Sequence, residues 1–194
     1  MGGYELPVSV EIGGREYAVR TDYRCILDIF EIITDPEFTE EEKAQEMMDI
    51  FYFEPSYEEI PPRDWQEAID KCCQFINGGE QARTEKGPKV MDWQQDFQLI
   101  AAPVSRVYGK DIRAVPYDPQ TNVGGLHWWT FLALYMEIGD CLFAQVVRIR
   151  DMKARGKRLD KQDVEFYQRN RDLIELKTRY TEAEDAFFRE WGMG

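Results

Sequence analysis

A chain of 194 residues with a single histidine offers few starting points for chemistry. That histidine, His127, follows Leu126 and is followed by Trp128 and Trp129, then by Phe131, Leu132, Leu134, Tyr135 and Met136. An imidazole needs a nucleophile, an orienting carboxylate or a second ligand nearby to do acid–base or metal chemistry. No Ser-His-Asp, Cys-His or HExxH frame surrounds His127, so at the start of an apolar helix it reads as a local hydrogen-bonding or packing residue. Trp128 and Trp129 could stack bases or sugars, but no lysine or arginine is interleaved with them, which favours a place in the core. The pairs Gly13-Gly14, Gly78-Gly79 and Gly124-Gly125 lack the GxGxxG and P-loop frames that cradle phosphates. Carboxylates are abundant, but no spacing selects a pair for acid–base work or cation binding. Cys25, Cys72, Cys73 and Cys141 form no CxxC pair and sit among apolar residues, so they read as buried free thiols in a reducing compartment. The chain is therefore read as no enzyme, with no cofactor and no catalytic, cofactor-binding or metal-ligating residues.

The charge balance excludes further classes. A net charge of −13 argues against nucleic acid and against anionic membranes, both of which require an excess of lysine and arginine. Gly139, Asp140 and the arginines interrupt the best apolar run, so no membrane span is expected. No signal peptide is visible, and Leu6 stands where a myristoylation signal has Ser or Thr. The charge is also uneven. Residues 37–80 hold 13 acidic and 3 basic side chains, whereas residues 148–171 hold 9 basic and 4 acidic. These stretches could pair internally, pair between copies, or form two solvated helix faces.

The elements that position these residues are mainly helical. Residues 6–20 alternate apolar and polar around Gly13-Gly14 and predict a β-hairpin. Thr21 or Asp22 caps a helix to about 33, and Asp35-Pro36 ends it. Thr39 with Glu42 forms a capping box for the next helix, and Pro61-Pro62 leads into a third over 63–76. Residues 53–62 and 112–125 read as loops. Asp92 caps a helix that runs through Pro103 to Tyr108-Gly109, and two helices over 126–138 and 140–152 flank Gly139. The chain divides into 1–79 (hairpin plus three helices), a linker 80–91, and a helical unit 92–194. About seven helices are expected in all, in one compact domain. The last, over 159–191, is expected to be long and continuous because it contains no Gly or Pro. Leu159, Phe166, Leu173, Tyr180 and Phe187 recur along it every seven residues, a stripe that either docks on its own domain or binds a partner.

One stretch carries a family resemblance. Leu126, His127, Trp128, Trp129 and Phe131, followed by Phe143, Val146, Ile149 and Arg150, resemble the signature of a family of tailed-bacteriophage proteins named for phage gene product fifteen. Asp92, Asp96, Leu99, Ile100 and Tyr108 are similar to its upstream helix, and the likeness covers roughly residues 92–176. The resemblance implies a phage or prophage protein of the tail module, in phages of Gram-positive hosts. Similar proteins are commonly assigned as tail assembly chaperones, which coat the tape measure protein and recruit major tail protein subunits. By that reading the protein self-associates, works in the host bacterial cytoplasm during assembly, and is absent from the mature virion. A structural virion component of the tail or head–tail junction is the alternative.

Overall fold

Alternating apolar residues around Gly13-Gly14 fold as the sequence predicts. In the computed structural model, which describes residues 5–79 and 87–177, β1 (Ser9–Ile12) pairs antiparallel with β2 (Arg15–Val19). Both turn glycines have positive φ, 57° and 81°, where a side chain would add strain. A third strand, β3 (Tyr52–Glu54), joins the other edge of β2. The sequence places a loop there. Three residues are too few for alternation to show, and their strand character comes from pairing with Ala18 and Val19.

Local capping sets the helices. Asp22 accepts the Arg24 N–H and starts α1 (Tyr23–Thr34). Thr39 and Glu42 form the reciprocal capping box of α2 (Glu40–Phe51), with Thr39 N to Glu42 Oε2 at 2.8 Å. A short 3-10 turn, Pro62–Asp64, leads into α3 (Trp65–Ile76). Asp92 caps α4 (Trp93–Tyr108), which passes through Pro103 and ends on Gly109 at φ 83°. The stretch read as a loop over 112–125 contains a 3-10 turn, Ile112–Ala114, and a two-residue ladder of β4 (Tyr117–Asp118) with β5 (Val123–Gly124). Next come α5 (Trp128–Met136) and α6 (Leu142–Ala154), on either side of Gly139 at φ 61°. The fold is mainly α with an N-terminal hairpin.

The continuous helix expected over 159–191 is not formed within the described residues. Instead α7 (Lys161–Arg169) stops at Asn170, and α8 (Arg171–Ile174) is one turn long. Asn170 leaves helical geometry, and its side-chain amide donates to Phe166 O at 2.9 Å. A continuing helix would need the Lys177 N–H to reach Leu173 O. That N–H goes to Gln95 Oε1 at 2.8 Å, and Leu173 O accepts from Arg150 at 2.7 Å. Tertiary partners thus take both halves of the helical bond.

One apolar cluster draws on the hairpin and on α1 to α6, so residues of 1–79 and of 92–194 share it. Its centre is aromatic: Phe131 stacks on Tyr23 at 5.0 Å and on Trp128 at 5.4 Å, while Trp93 meets Trp128 edge-on at 5.6 Å. A smaller cluster of Val146, Ile149 and Ile174 receives Leu99, Leu159, Phe166 and Tyr167. Phe131→Ala removes the middle ring of the stack, and a loss of about 3–5 kcal/mol is expected from urea unfolding. A loss below about 1 kcal/mol, the range of a surface change, would show that the stack does not hold the core.

Candidate functional site

The His127 signature lies where the start of α5 meets the start of α1. Gly125 has φ 88°, and a Cβ there would lie 2.4 Å from Asp22 Oδ2, so only glycine fits. The Asp22 carboxylate, 1% exposed, accepts the N–H groups of Leu126 at 2.7 Å and Arg24 at 3.0 Å. Burial pushes this carboxyl up from its usual range, and the two N–H donors and the Arg24 guanidinium partly offset the push. Tyr23 N donates to Leu126 O at 3.0 Å and Trp128 N to Thr21 O at 2.6 Å, a backbone bridge between the start of α1 and the start of α5.

His127 caps α5 and is fully committed. Its Nδ1 accepts the Trp129 N–H at 3.0 Å, and Nε2 lies 2.9 Å from Pro7 O, a group that only accepts. The ring is therefore the neutral tautomer with its proton on Nε2. Burial lowers its pKa below the ordinary value of 6.5, and the Pro7 bond works the other way. Both indoles are also committed. Trp128 Nε1 donates to Ile76 O and Trp129 Nε1 to Phe75 O, each at 2.8 Å, at the C-terminal end of α3. A Cβ on Gly79 would lie 2.8 Å from the Trp129 ring. Leu126, Trp128 and Phe131 are buried, and no signature polar atom from 126 to 129 points at an open site.

The second half of the signature lies on α6. Phe143, Val146 and Ile149 face the core, and Arg150 is buried beside them at 5% exposure. Its guanidinium has five N–H donors, all used. Nη1 donates to Asp96 Oδ2 at 2.6 Å and Val90 O at 3.1 Å; Nη2 to Asp96 Oδ1 at 2.9 Å and Leu173 O at 2.7 Å; Nε to Ile174 O at 2.6 Å. Asp96 Oδ2 also accepts the Asp92 N–H at 3.0 Å. Gln95 adds a pair of bonds to the same segment, donating to Glu175 O and accepting from Lys177 N. Sequence reasoning quoted Asp96 and Arg150 without pairing them. A charged residue on the apolar face that Phe143, Val146 and Ile149 mark out was the available signal.

The proposed binding stripe is not one face. Leu159 and Phe166 turn inward against Val146, Ile149 and Ile174. Leu173 is 37% exposed while its neighbour Ile174 is buried. Tyr180 and Phe187 lie outside the described residues. Beside the stripe, Arg148 pairs with Asp163, and Lys153 bonds Glu175 at 2.5 Å with its ammonium 3.8 Å above the Tyr167 ring. Among ion pairs between described residues, none joins the acidic stretch to the basic one.

Of the four cysteines expected to be buried, Cys141 is only half-buried. Cys25, Cys72 and Cys73 are buried, and burial raises their thiols, Cys73 to about 12. An open cleft of about 380 Å³ at the end of α4 is lined by Arg106, Lys110, Asp111 and Arg113. Arg106 already donates to Ile138 O, and Arg113 is paired with Asp111. Among the described residues no group of three or more His, Cys, Asp or Glu side chains could hold a metal ion. What the surface does offer is an apolar outer face on α5, where Met136 is 78% exposed.

A family model described as bacteriophage Gp15 protein matches residues 4–176, so the chain belongs to that family. No curated protein and no solved structure matches it. The match includes the Asp96–Arg150 pair and both halves of the signature. Tyr180 and Phe187 fall beyond it.

Two outcomes follow from this geometry. Arg150→Met leaves Asp96 buried without its partner, and a loss of about 3–5 kcal/mol in urea unfolding is expected. Replacing Asp96 as well, by Leu, should recover part of it; strict additivity would deny the coupling. For His127 the folded pKa lies below the unfolded value, so its contribution is complete above pH 6.5 and lost as pH falls through the folded pKa. The difference in unfolding free energy between wild type and His127→Gln should therefore shrink from pH 7.5 to about 5. A difference that is flat with pH would mean the imidazole is not held neutral.

Proposed function

We propose that the protein is a non-enzymatic tail assembly chaperone that binds the tape measure protein and recruits major tail protein subunits while the tail is built. Its membership of the bacteriophage Gp15 family over residues 4–176 carries this reading. The fold is compatible with it. The His127–Trp129 signature is consumed in joining α5 to the N-terminal half of the chain, so its role is architectural, and recognition falls to the surface. A tape measure exposes long apolar helix before the tube closes around it. An acidic protein with an apolar helical face can cover such a helix, while a net charge of −13 keeps neighbouring copies soluble. The chaperone would act in the host cytoplasm and leave before the virion is complete. Among the described residues no helix is long and apolar enough to cross a membrane.

Co-expression with the cognate tape measure protein tests the reading. A complex should co-purify, and the soluble fraction of the tape measure should rise severalfold. No complex and no change in solubility would defeat it. Mass spectrometry of purified particles separates the rival role: stoichiometric presence of this chain would make it a structural tail or head–tail component, and absence fits a chaperone.

A further inference from the structure

The nine residues of α5 include no charged side chain, yet only Trp128 and Phe131 are buried. A helix that is apolar on every side normally lies inside a core. Here the inner line of Trp128, Phe131 and Tyr135 serves the aromatic cluster. Trp129, Leu132, Ala133 and Met136, at i, i+3, i+4 and i+7, form a second apolar line, of which Trp129 and Leu132 are half-buried against the core and Ala133 and Met136 face outward. Trp129 and Leu132 border Gly79 and Gly78 at the end of α3, which leaves that wall low. Ala133 is exposed, Met136 is 78% exposed, and Leu142 beyond the Gly139 turn is 45% exposed. Within residues 126–147 there is no lysine or arginine, and Glu137 and Asp140 are both exposed; the one guanidinium that reaches this segment, Arg106, is bonded to Ile138 O.

We propose that the outer face of α5 is the docking surface for an amphipathic helix of the partner protein, one whose apolar stripe is flanked by lysine and arginine. This rests on the chaperone reading and names the site and the character of the tape measure segment it binds. Charge selects the occupant. A second copy carries the same net charge of −13 and the same acidic residues beside this face, so like charges oppose self-docking. The chain's own residues 178–194 hold four acidic and two basic side chains, the wrong sign for this face. A basic amphipathic helix matches both the stripe and its acidic flank. Unbranched Met136 can adapt to the side chains it meets.

The test uses the full chain, wild type and Met136→Lys, with a second variant, Ala133→Lys. Both positions are exposed, so unchanged thermal melts are expected. Three fluorescent helical peptides serve as probes: a Leu stripe with Lys flanks, a Gln stripe with Lys flanks, and a Leu stripe with Glu flanks. Only the first should bind wild type, and each variant should weaken it by roughly tenfold or more. Equal binding of the Gln or Glu peptide, or no loss in the variants, overturns the proposal. So does a wild-type dimer that the variants make monomeric, or binding seen only in a chain ending at Lys177, since each assigns the face to another occupant. If the whole tape measure protein co-purifies equally with wild type and variants, the chaperone reading stands and this site fails. If it co-purifies with neither, the chaperone reading itself fails.

Discussion

A guanidinium cannot shed its proton and cannot be left unpaired inside a protein. Arg150 therefore fixes the positions of whatever supplies its five acceptors. Those are the Asp96 carboxylate near the start of α4, the Val90 carbonyl just before it, and the carbonyls of Leu173 and Ile174 at the end of α8. Two stretches of chain far apart in sequence, 90–96 and 173–174, converge on one side chain of α6. A lysine would offer fewer donors without the flat fork that grips a carboxylate and backbone carbonyls together. Because Asp96 also holds the Asp92 N–H, the first turn of α4 and the buried charge are a single network. Such networks stabilise when every member is satisfied and cost heavily when one is missing.

The same rule operates at the other joint with backbone in place of charge. Asp22 caps α1 with one oxygen and holds the Leu126 N–H with the other, so it orients α1 and α5 at once. His127 and the two indoles then fasten α5 to Pro7, ahead of β1, and to the end of α3. Aromatic bulk and polar tip do different jobs in these residues. The rings fill the core between α1, α4 and α5, while the N–H groups find carbonyls that strand and helix ends present there. A signature dense in histidine and tryptophan looks like a reaction centre in sequence, but in the fold it is a joint.

How much of this the sequence showed depended on how local each cause was. The Thr39–Glu42 box, the Asp22 and Asp92 caps and the Gly13-Gly14 turn are bonds within a few residues, and they were legible. Strand β3 exists only because β2 lies beside it, and three residues leave no periodic trace. The break after Arg169 was hidden for a related reason. Leu159, Phe166 and Leu173 keep helical spacing, and nothing in 159–177 forbids a helix; Asn170 leaves helical geometry with its side chain on Phe166 O, and beyond α8 Gln95 and Arg150, far away in sequence, take the bonds that a continuing helix needs. The Asp96–Arg150 pair lay between the two cases: each residue was noticed, and their 54-residue separation concealed the contact.

Relocating the candidate binding face follows from asking which apolar surface has no internal use. Leu159 and Phe166 have one, because they cover Val146, Ile149 and Ile174 and so shield the network around Arg150. The inner line of α5 has one as well. The exposed part of its outer line, Ala133 and Met136, does not: the core is already closed without them, and polar residues at 133 and 136 would cost the fold little while improving solubility. In a chain with 31% charged residues, a helix that carries no charge on its exposed side is an imbalance that folding does not explain. The proposed docking would explain it, because a helix-binding face must stay apolar in the free protein to gain anything when it is covered. On the proposed docking, the net charge has a separate role: it would keep copies apart in water and favour a partner of opposite sign.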